Sequence, residues 1–366
     1  MSGTGRARNW GGRGHSSAPP SDLARDDYRI MRFGGRPVLA VPALSFRSKL
    51  AGLSRYQPIS WKRTWFRRAA LLAISLRLDG LLGPRRPTPF ATDEDFGFLS
   101  WLERARIMLN APDALAAVIW PPEIHRKRLY VHLMNGSGVP IAFCKLALDA
   151  ASGMSLADEI KTLVSLGKLG LRAARVPRVL LHEEFAGRRY VAYEPLPSQT
   201  ESVDLPWDDL AGVAKEFSGE SRRIGAEALA QQDWWRRFRA QRDAFPKDFL
   251  DALEVAARRG VAVCRIHGDF TPANMFRADG VIWLCDWEFS SESGPRKADE
   301  IAYRLAQRHA FGLSHPDEAL GELLHPPGSK DKREDTDEIA MALAFLAGRG
   351  DGVAKALAAQ WPGVTP

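Results

Sequence analysis

The stretch CRIHGDFTPANMFRADGVIWLCDWEF, Cys264 to Phe289, sets Asp269, Asn274, Asp286 and Glu288 among strongly apolar neighbours within 26 residues. Carboxylates and carboxamides rarely keep such company unless they are paired, hydrogen-bonded or holding a cation. The run between Asn274 and Asp286 predicts a hairpin turning at Asp279-Gly280, a dipeptide suited to the tight turn. Pairing outward from that turn brings Asn274 and Asp286 together at its open end. Asp269 lies five residues before Asn274, on a loop leaving the apolar strand Val261 to Ile266. One carboxamide and two carboxylates converge at a single mouth. Oxygen donors of this kind suit Mg²⁺, which is usually held by one or two carboxylates together with substrate phosphates.

Upstream, Asn135-Gly136-Ser137-Gly138 separates two β-rich runs, Leu129 to Met134 and Val139 to Leu148, and predicts another hairpin. Turn geometry accounts for these glycines without a phosphate. Lys145 lies mid-strand in IAFCKLAL, where a lysine needs a partner. Ser155 to Asp158 has the capping-box spacing, which predicts a helix start there and leaves Glu159 on one face with Leu156 and Leu163. A strand lysine and a core-facing glutamate on the next helix invite an ion pair. Two strands follow, Val176 to His182 and Arg189 to Glu194, turning near Ala186-Gly187, and Pro195-Leu196-Pro197 ends the sheet. Beyond residue 200 the patterns are helical: Asp208 to Phe217, Glu227 to Phe238, Pro246 to Arg259, Lys297 to Phe311 and Glu338 to Gln360.

H-G-D-x-x-x-x-N, followed by D-W-E, resembles the aminoglycoside phosphotransferase and choline kinase branch of the protein-kinase-like superfamily, and Lys145, Glu159 and VAYEPLP at 191–197 stand upstream in the matching order. The resemblance covers roughly residues 100–320. It implies an α+β, two-lobed protein-kinase-like fold with a small β-rich N-lobe, a mostly helical C-lobe and an N-terminal extension. It further implies ATP and Mg²⁺ as cofactors. Asp269 would orient the acceptor hydroxyl and take its proton, while Asn274 and Asp286 hold Mg²⁺. Lys145 would meet the α- and β-phosphates, steadied by Glu159, and the backbone from Tyr193 through Glu194 to Leu196 would meet the adenine. Glu288 is a second metal ligand, a residue supporting one, or a surface carboxylate. His267 is expected to support the loop through hydrogen bonds. The nucleotide loop expected between the first two strands falls on WPPEIHRKRL, 120–129, which has two prolines and no glycine.

The 366 residues carry a formal charge of +7, unevenly placed: residues 1–90 hold 17 Lys/Arg against 4 Asp/Glu, a balance of +13, which leaves −6 for the remainder. The basic character belongs to the N-terminal part, which argues against nucleic acid as the partner of the motif region. Residues 1–27 are Gly, Ser, Pro and Arg without an apolar segment, which predicts a disordered basic tail and no secretory signal. Residues 28–95 form a basic accessory region, 96–195 the N-lobe and 196–366 the C-lobe. The accessory region predicts a hairpin at Gly34-Gly35 and a helix from Ser45 to Tyr56. Within Ser60 to Leu82, Trp61, Trp65 and the run Ala69 to Leu76 lie beside Lys62, Arg63, Arg67 and Arg68. The preferred reading is a helix packed on a neighbouring domain with its tryptophans buried and its arginines in water; the alternative is an anionic membrane surface. No apolar run is long enough to span a bilayer. Cys144, Cys264 and Cys285 stand singly in apolar runs, as reduced core residues of a cytoplasmic protein do.

These residues point to a phosphotransferase acting on a hydroxyl of a small molecule of aminoglycoside, choline or sugar type. A kinase of a sugar, lipid-linked or polysaccharide acceptor at the membrane surface is one alternative, and a non-catalytic nucleotide-binding pseudokinase or scaffold is another. Residues 201–366 carry a net charge of −7, with VDLPWDD at 203–209 a candidate contact for a cationic acceptor.

Overall fold

The computed structural model describes residues 27–361, apart from 57–60, 91–95, 122–126, 198–199, 204, 311–319, 322 and 325–331. The N-terminal tail and the centre of the 120–129 loop lie outside the described residues.

The N-terminal portion is built on one sheet. Its strands are β1 (Tyr28–Phe33), β2 (Arg36–Pro42), β3 (Arg85–Arg86), β4 (Leu115–Ile119), β5 (Arg128–Met134), β6 (Pro140–Ala147), β8 (Val179–Phe185) and β9 (Arg188–Tyr193); β7 (Ala174–Arg175) leaves to pair elsewhere. The order is β3-β1-β2-β4-β5-β6-β9-β8, antiparallel throughout. The basic N-terminal strands therefore continue the sheet, joined where Leu39 pairs Ile119 and Ala40 pairs Val118. Helices α1 (Phe46–Ser54), α2 (Trp61–Ser75), α3 (Phe98–Met108) and α4 (Ala150–Leu166) surround it. One face is sealed by Phe98, Trp101 and Leu102 of α3 against Val131, Cys144 and Tyr190.

Helix α4 starts earlier than the sequence reading places it. Asp149 is its N-cap: the carboxylate accepts from Ser152 N at 2.8 Å, and Ser152 Oγ closes the box on Asp149 N. Ser155 and Asp158 compete for the same pattern but sit inside the helix. Asp149 wins because Ser152 Oγ also donates to Lys127 O at 2.9 Å, tying the cap to the sheet. Leu156, Ile160, Leu163 and Leu166 bury one face of α4, and Glu159 is buried with them.

The second lobe is mostly helical: α5 (Trp207–Ser218), α6 (Ala226–Ala230), α7 (Asp233–Arg239), α8 (Lys247–Arg259), α9 (Ala298–Ala310), α10 (Lys332–Gly348) and α11 (Gly352–Ala359). Small sheets are threaded through it. Strand β12 (Val261–Ile266) pairs with β11 (Arg222–Ile224) and β15 (Ser291–Pro295). The hairpin β13 (Met275–Ala278) and β14 (Val281–Leu284) is flanked by β10 (Glu201–Ser202) and, in parallel, by β7. Its turn has Asp279 at φ 52° and Gly280 at φ 77°, the left-handed pair a tight hairpin requires.

Two expected helices are broken. Glu227 to Phe238 is two short pieces, α6 and α7. Glu338 to Gln360 divides at Gly350, where Asp351 N donates to Leu346 O and Gly350 N to Ala347 O, a Schellman stop with Gly350 at φ 103°. Asp351 then caps α11 through Ala354 N at 2.9 Å. That break places Arg349, at the end of α10, beside the loop that carries Asp269.

Candidate active site

Lys145 comes from β6 and Glu159 from α4. The ammonium donates to both Glu159 oxygens, at 2.7 and 3.0 Å, and to Asp286 Oδ1 at 2.6 Å. The Lys145 and Glu159 side chains are 5% and 2% exposed. Burial alone would push the lysine down, but Asp286 and Glu159 outweigh it and hold the ammonium well above its ordinary range. Asp286 itself is left-handed, φ 64° and ψ 60°, a conformation Asp tolerates better than most residues and which aims its carboxylate at Lys145.

Asp269 lies on the loop after β12. Its Oδ2 accepts from Asn274 Nδ2 at 2.8 Å and its Oδ1 from Arg349 Nη2 at 2.9 Å. Asn274 closes the short 3₁₀ turn Pro272–Asn274, and its carbonyl accepts Cys285 N at 3.0 Å. The hairpin register, Met275 against Leu284, thus brings Asn274 and Asp286 to one open end, as its sequence implies.

The loop is held from below. His267 is fully buried; its Nε2 bonds Cys285 O at 2.9 Å and its Nδ1 accepts from Asp269 N at 3.2 Å. These bonds fix one tautomer and leave no place for a second proton, while burial pushes the imidazole down to about 4. His267 is a support. Gly268 has φ +81°, and a Cβ there would stand 2.1 Å from Phe289 O, so a side chain could enter only by moving the backbone. Two anchors escape sequence reasoning. Asp299 of α9 accepts from His267 N and Gly268 N, each at 2.8 Å, and Arg349 donates to Gly268 O as well as to Asp269. They lie 30 and 80 residues beyond Asp269. The only local signal for Arg349 is GRGDG at 348–352, a helix stop.

Glu288 has a partner other than a metal. Its Oε2 bonds Arg128 Nη1 of β5 at 2.5 Å, with both side chains 4% exposed. The pair ties the sheet to the segment after β14, alongside Thr162 to Ser290 at 2.9 Å and Arg265 to Ser165 at 3.2 Å. Tyr193 ends β9 with its ring 5.9 Å from Lys145 Nζ. Glu194 N donates to Arg178 O at 2.8 Å and its carboxylate receives Arg178 Nε at 3.1 Å; Leu196 follows, half-buried, where the chain passes between lobes.

Among the described residues, no group of three or more His, Cys, Asp and Glu side chains is placed to hold a metal. Asp286 and Asn274, one carboxylate with one carboxamide, are the donor set Mg²⁺ accepts when phosphates complete its shell. A separate cavity of about 330 Å³, lined by Arg223, Arg259, Arg296, Asp337 and Glu338, contains none of these residues.

No protein-family model matches the chain, and no curated protein matches it. Solved structures similar to it include a Thermobifida fusca protein described as a candidate fructosamine-3-kinase (22% identity, 66% of this chain and 93% of that one, TM-score 0.39). A type VIII aminoglycoside-3'-phosphotransferase shares 17% identity over 69% of this chain and all of its own, TM-score 0.40. A variant of aminoglycoside 2'-phosphotransferase-IIIa, solved with GDP, shares 15% over 68% of this chain and 87% of its own, TM-score 0.39. The chain's own layout is α+β and two-lobed: an antiparallel sheet with one long buried-face helix, then a helical lobe with a hairpin at the junction. The chemistry of the site rests on its own geometry.

Proposed function

We propose that the chain is an ATP- and Mg²⁺-dependent phosphotransferase that moves the γ-phosphoryl group to a hydroxyl of a small molecule. The observation that carries this is the buried Lys145 ammonium, bridging Glu159 of the sheet lobe and Asp286 at the hairpin mouth. Phosphoryl transfer needs positioning and charge neutralisation more than covalent help, and a cation fixed by two carboxylates supplies both for a polyphosphate. Asn274 and Asp286 are the residues that would hold Mg²⁺. The metal, when bound, would neutralise charge on the phosphates. Asp269, with each carboxylate oxygen already steadied by one donor, is a positioned acceptor for the hydroxyl proton. In the segment 194–197, Glu194 N is committed to Arg178 O and the two prolines have no N–H, so Leu196 supplies the backbone donor for adenine.

For the acceptor, the support is electrostatic. Residues 201–366 are net negative, and Asp208 and Asp209 open α5, whose Trp207 packs on Phe270 beside Asp269. That favours a cationic or amino-bearing compound. A non-catalytic scaffold has no use for the bracing of Asp269.

Titration of ATP with and without Mg²⁺, followed by ADP release over a panel of choline, amino sugars, nucleosides and aminoglycosides, tests the proposal. Mg²⁺-strengthened binding and acceptor-dependent ADP release are expected. Equal affinities would remove the metal assignment, and tight binding without transfer to any hydroxyl would leave the scaffold reading.

A further inference from the structure

Helix α2 carries two apolar faces, and the sheet uses only one. Phe66, Ala70 and Ile74, spaced by four, turn inward: Ala70 and Ile74 are buried with Leu39, Val41 and Leu53, and Phe66 packs on Phe33 at 5.6 Å between ring centroids. The opposite face holds Trp61, Trp65, Leu72 and Leu76, at spacings of four, seven and four, which is one stripe of a helix. These residues are 68%, 61%, 61% and 59% exposed. The expectation that the tryptophans would be buried against a neighbouring domain is thereby overturned: the helix does pack, but through its other side. Leu78 and Leu81, just past the helix, are 49% and 82% exposed and lengthen the apolar surface. Most proteins do not leave so contiguous a patch open without a use for it.

The charges around the stripe say what covers it. Lys62 and Arg68 are exposed beside the tryptophans, while Arg63, over the Phe33 ring, and Arg67 are half-buried towards the sheet, and the helix has no acidic residue. Lys62 Nζ stands 5.7 Å from the Trp61 ring centre and the Arg68 guanidinium 5.6 Å from that of Trp65, so cations and indoles share one surface. Arg77 follows, exposed. A second copy of the chain is the poorer occupant, because face-to-face pairing would set the exposed Lys62 and Arg68 of one copy against those of the other with no acidic residue of the helix between them. An anionic surface with an apolar interior gains from both features: indoles settle at the headgroup level, leucines reach the acyl boundary, and the long basic side chains extend to phosphates. Among the described residues, no helix is long and apolar enough to cross a membrane, so the contact is peripheral.

We infer that the outer face of α2 docks the protein on an anionic lipid surface. The inference stands apart from the phosphotransferase reading, because its test does not use activity.

The full chain is sedimented with vesicles of phosphatidylcholine alone and of phosphatidylcholine with phosphatidylglycerol, at low and high salt. Binding to the anionic vesicles at low salt, weakening as salt rises, is expected. Replacing Trp61→Ser or Trp65→Ser should weaken it roughly tenfold each, and Lys62→Gln or Arg68→Gln roughly fivefold each. All four positions are exposed, and circular dichroism checks that the variants fold. Binding that survives both tryptophan changes would mean that charge elsewhere, such as in the N-terminal tail, carries it, and the inference fails. It fails equally if anionic vesicles bring down no protein, or if sedimentation equilibrium instead reveals a dimer that the tryptophan changes dissolve.

Discussion

Arg349 Nη2 lies 2.9 Å from Asp269 Oδ1, so a residue from the end of α10 braces the carboxylate proposed to receive the acceptor's proton. The guanidinium also donates to Gly268 O and stands 5.0 Å from the Phe289 ring centre, which fixes it on both sides of the loop. In a loose phosphoryl-transfer transition state the placing of the hydroxyl is what the aspartate chiefly supplies. Arg349→Ala should therefore lower kcat by about 10- to 100-fold, the equivalent of one hydrogen bond to a charged group. KM for ATP should change little, and Arg349→Lys should recover part of the loss. Steady-state kinetics of the three forms decides it; a rise in kcat on removing the arginine would reverse the assigned role.

The Asp269 carboxylate takes one donor on each oxygen, which makes Asp269→Asn a pointed test. The substituted amide has one acceptor oxygen, so its nitrogen must face either Asn274 Nδ2 or Arg349. Turnover should fall by roughly two to four orders of magnitude while ATP affinity stays within a few-fold. Calorimetric titration of nucleotide beside acceptor-dependent ADP release separates the two effects, and an active variant on an identified acceptor would sink the role given to Asp269.

What the chain discloses of this site divides by sequence distance. Asp279-Gly280 is enough to align Asn274 with Asp286, because a two-residue turn fixes the register. Lys145 and Glu159 betray themselves as charges among apolar residues. The start of α4 is misread because Asp149-x-x-Ser152 and Ser155-x-x-Asp158 both have capping spacing, and only the tertiary bond from Ser152 to Lys127 O decides between them. Asp299, Arg349 and the Arg128–Glu288 pair are invisible locally: each joins elements whose adjacency the packing alone creates. The same holds for β2, whose pairing with β4 spans about 80 residues of chain. The outer stripe of α2 was present in the sequence, but which of its two apolar faces would be covered was not.

The Lys145–Glu159 pair should behave as a buried pair does when it loses one member. Lys145→Met leaves a carboxylate that is 2% exposed without its cation, and should cost about 3–5 kcal/mol. Adding Glu159→Gln should return much of that, since the buried charge goes with its partner. Nucleotide affinity would not return, because the cation for the phosphates is still missing. Chemical denaturation of the two variants, set beside ATP titrations, reads both quantities; equal stabilities for single and double variants would contradict the coupling.

Acid should act on the loop through Asp299 rather than through His267. Burial pushes Asp299 up to about 6, against the two backbone N–H groups that favour its charge. Its folded value lies above its unfolded one, so its contribution to stability is fully present below about 4 and is lost as pH rises through about 6, a span worth about 3 kcal/mol. His267 has the opposite sign: its folded value, about 4, lies below the ordinary 6.5, so its contribution is present above about 6.5 and is lost as pH falls through about 4. For activity the order is different. Protonation of Asp299 near pH 6 removes acceptor capacity from the His267 and Gly268 amides and loosens Asp269 while the fold persists. The kcat profile should fall on the acid side with a midpoint near 6, and Asp299→Asn, unable to accept both N–H groups without a donor clash, should show low kcat at every pH with that limb gone. The stability deficit of Asp299→Asn relative to the parent should shrink between pH 4 and 6, as the parent loses its own contribution. An acid limb unchanged in Asp299→Asn would assign that titration to another group and return Asp299 to a purely structural role.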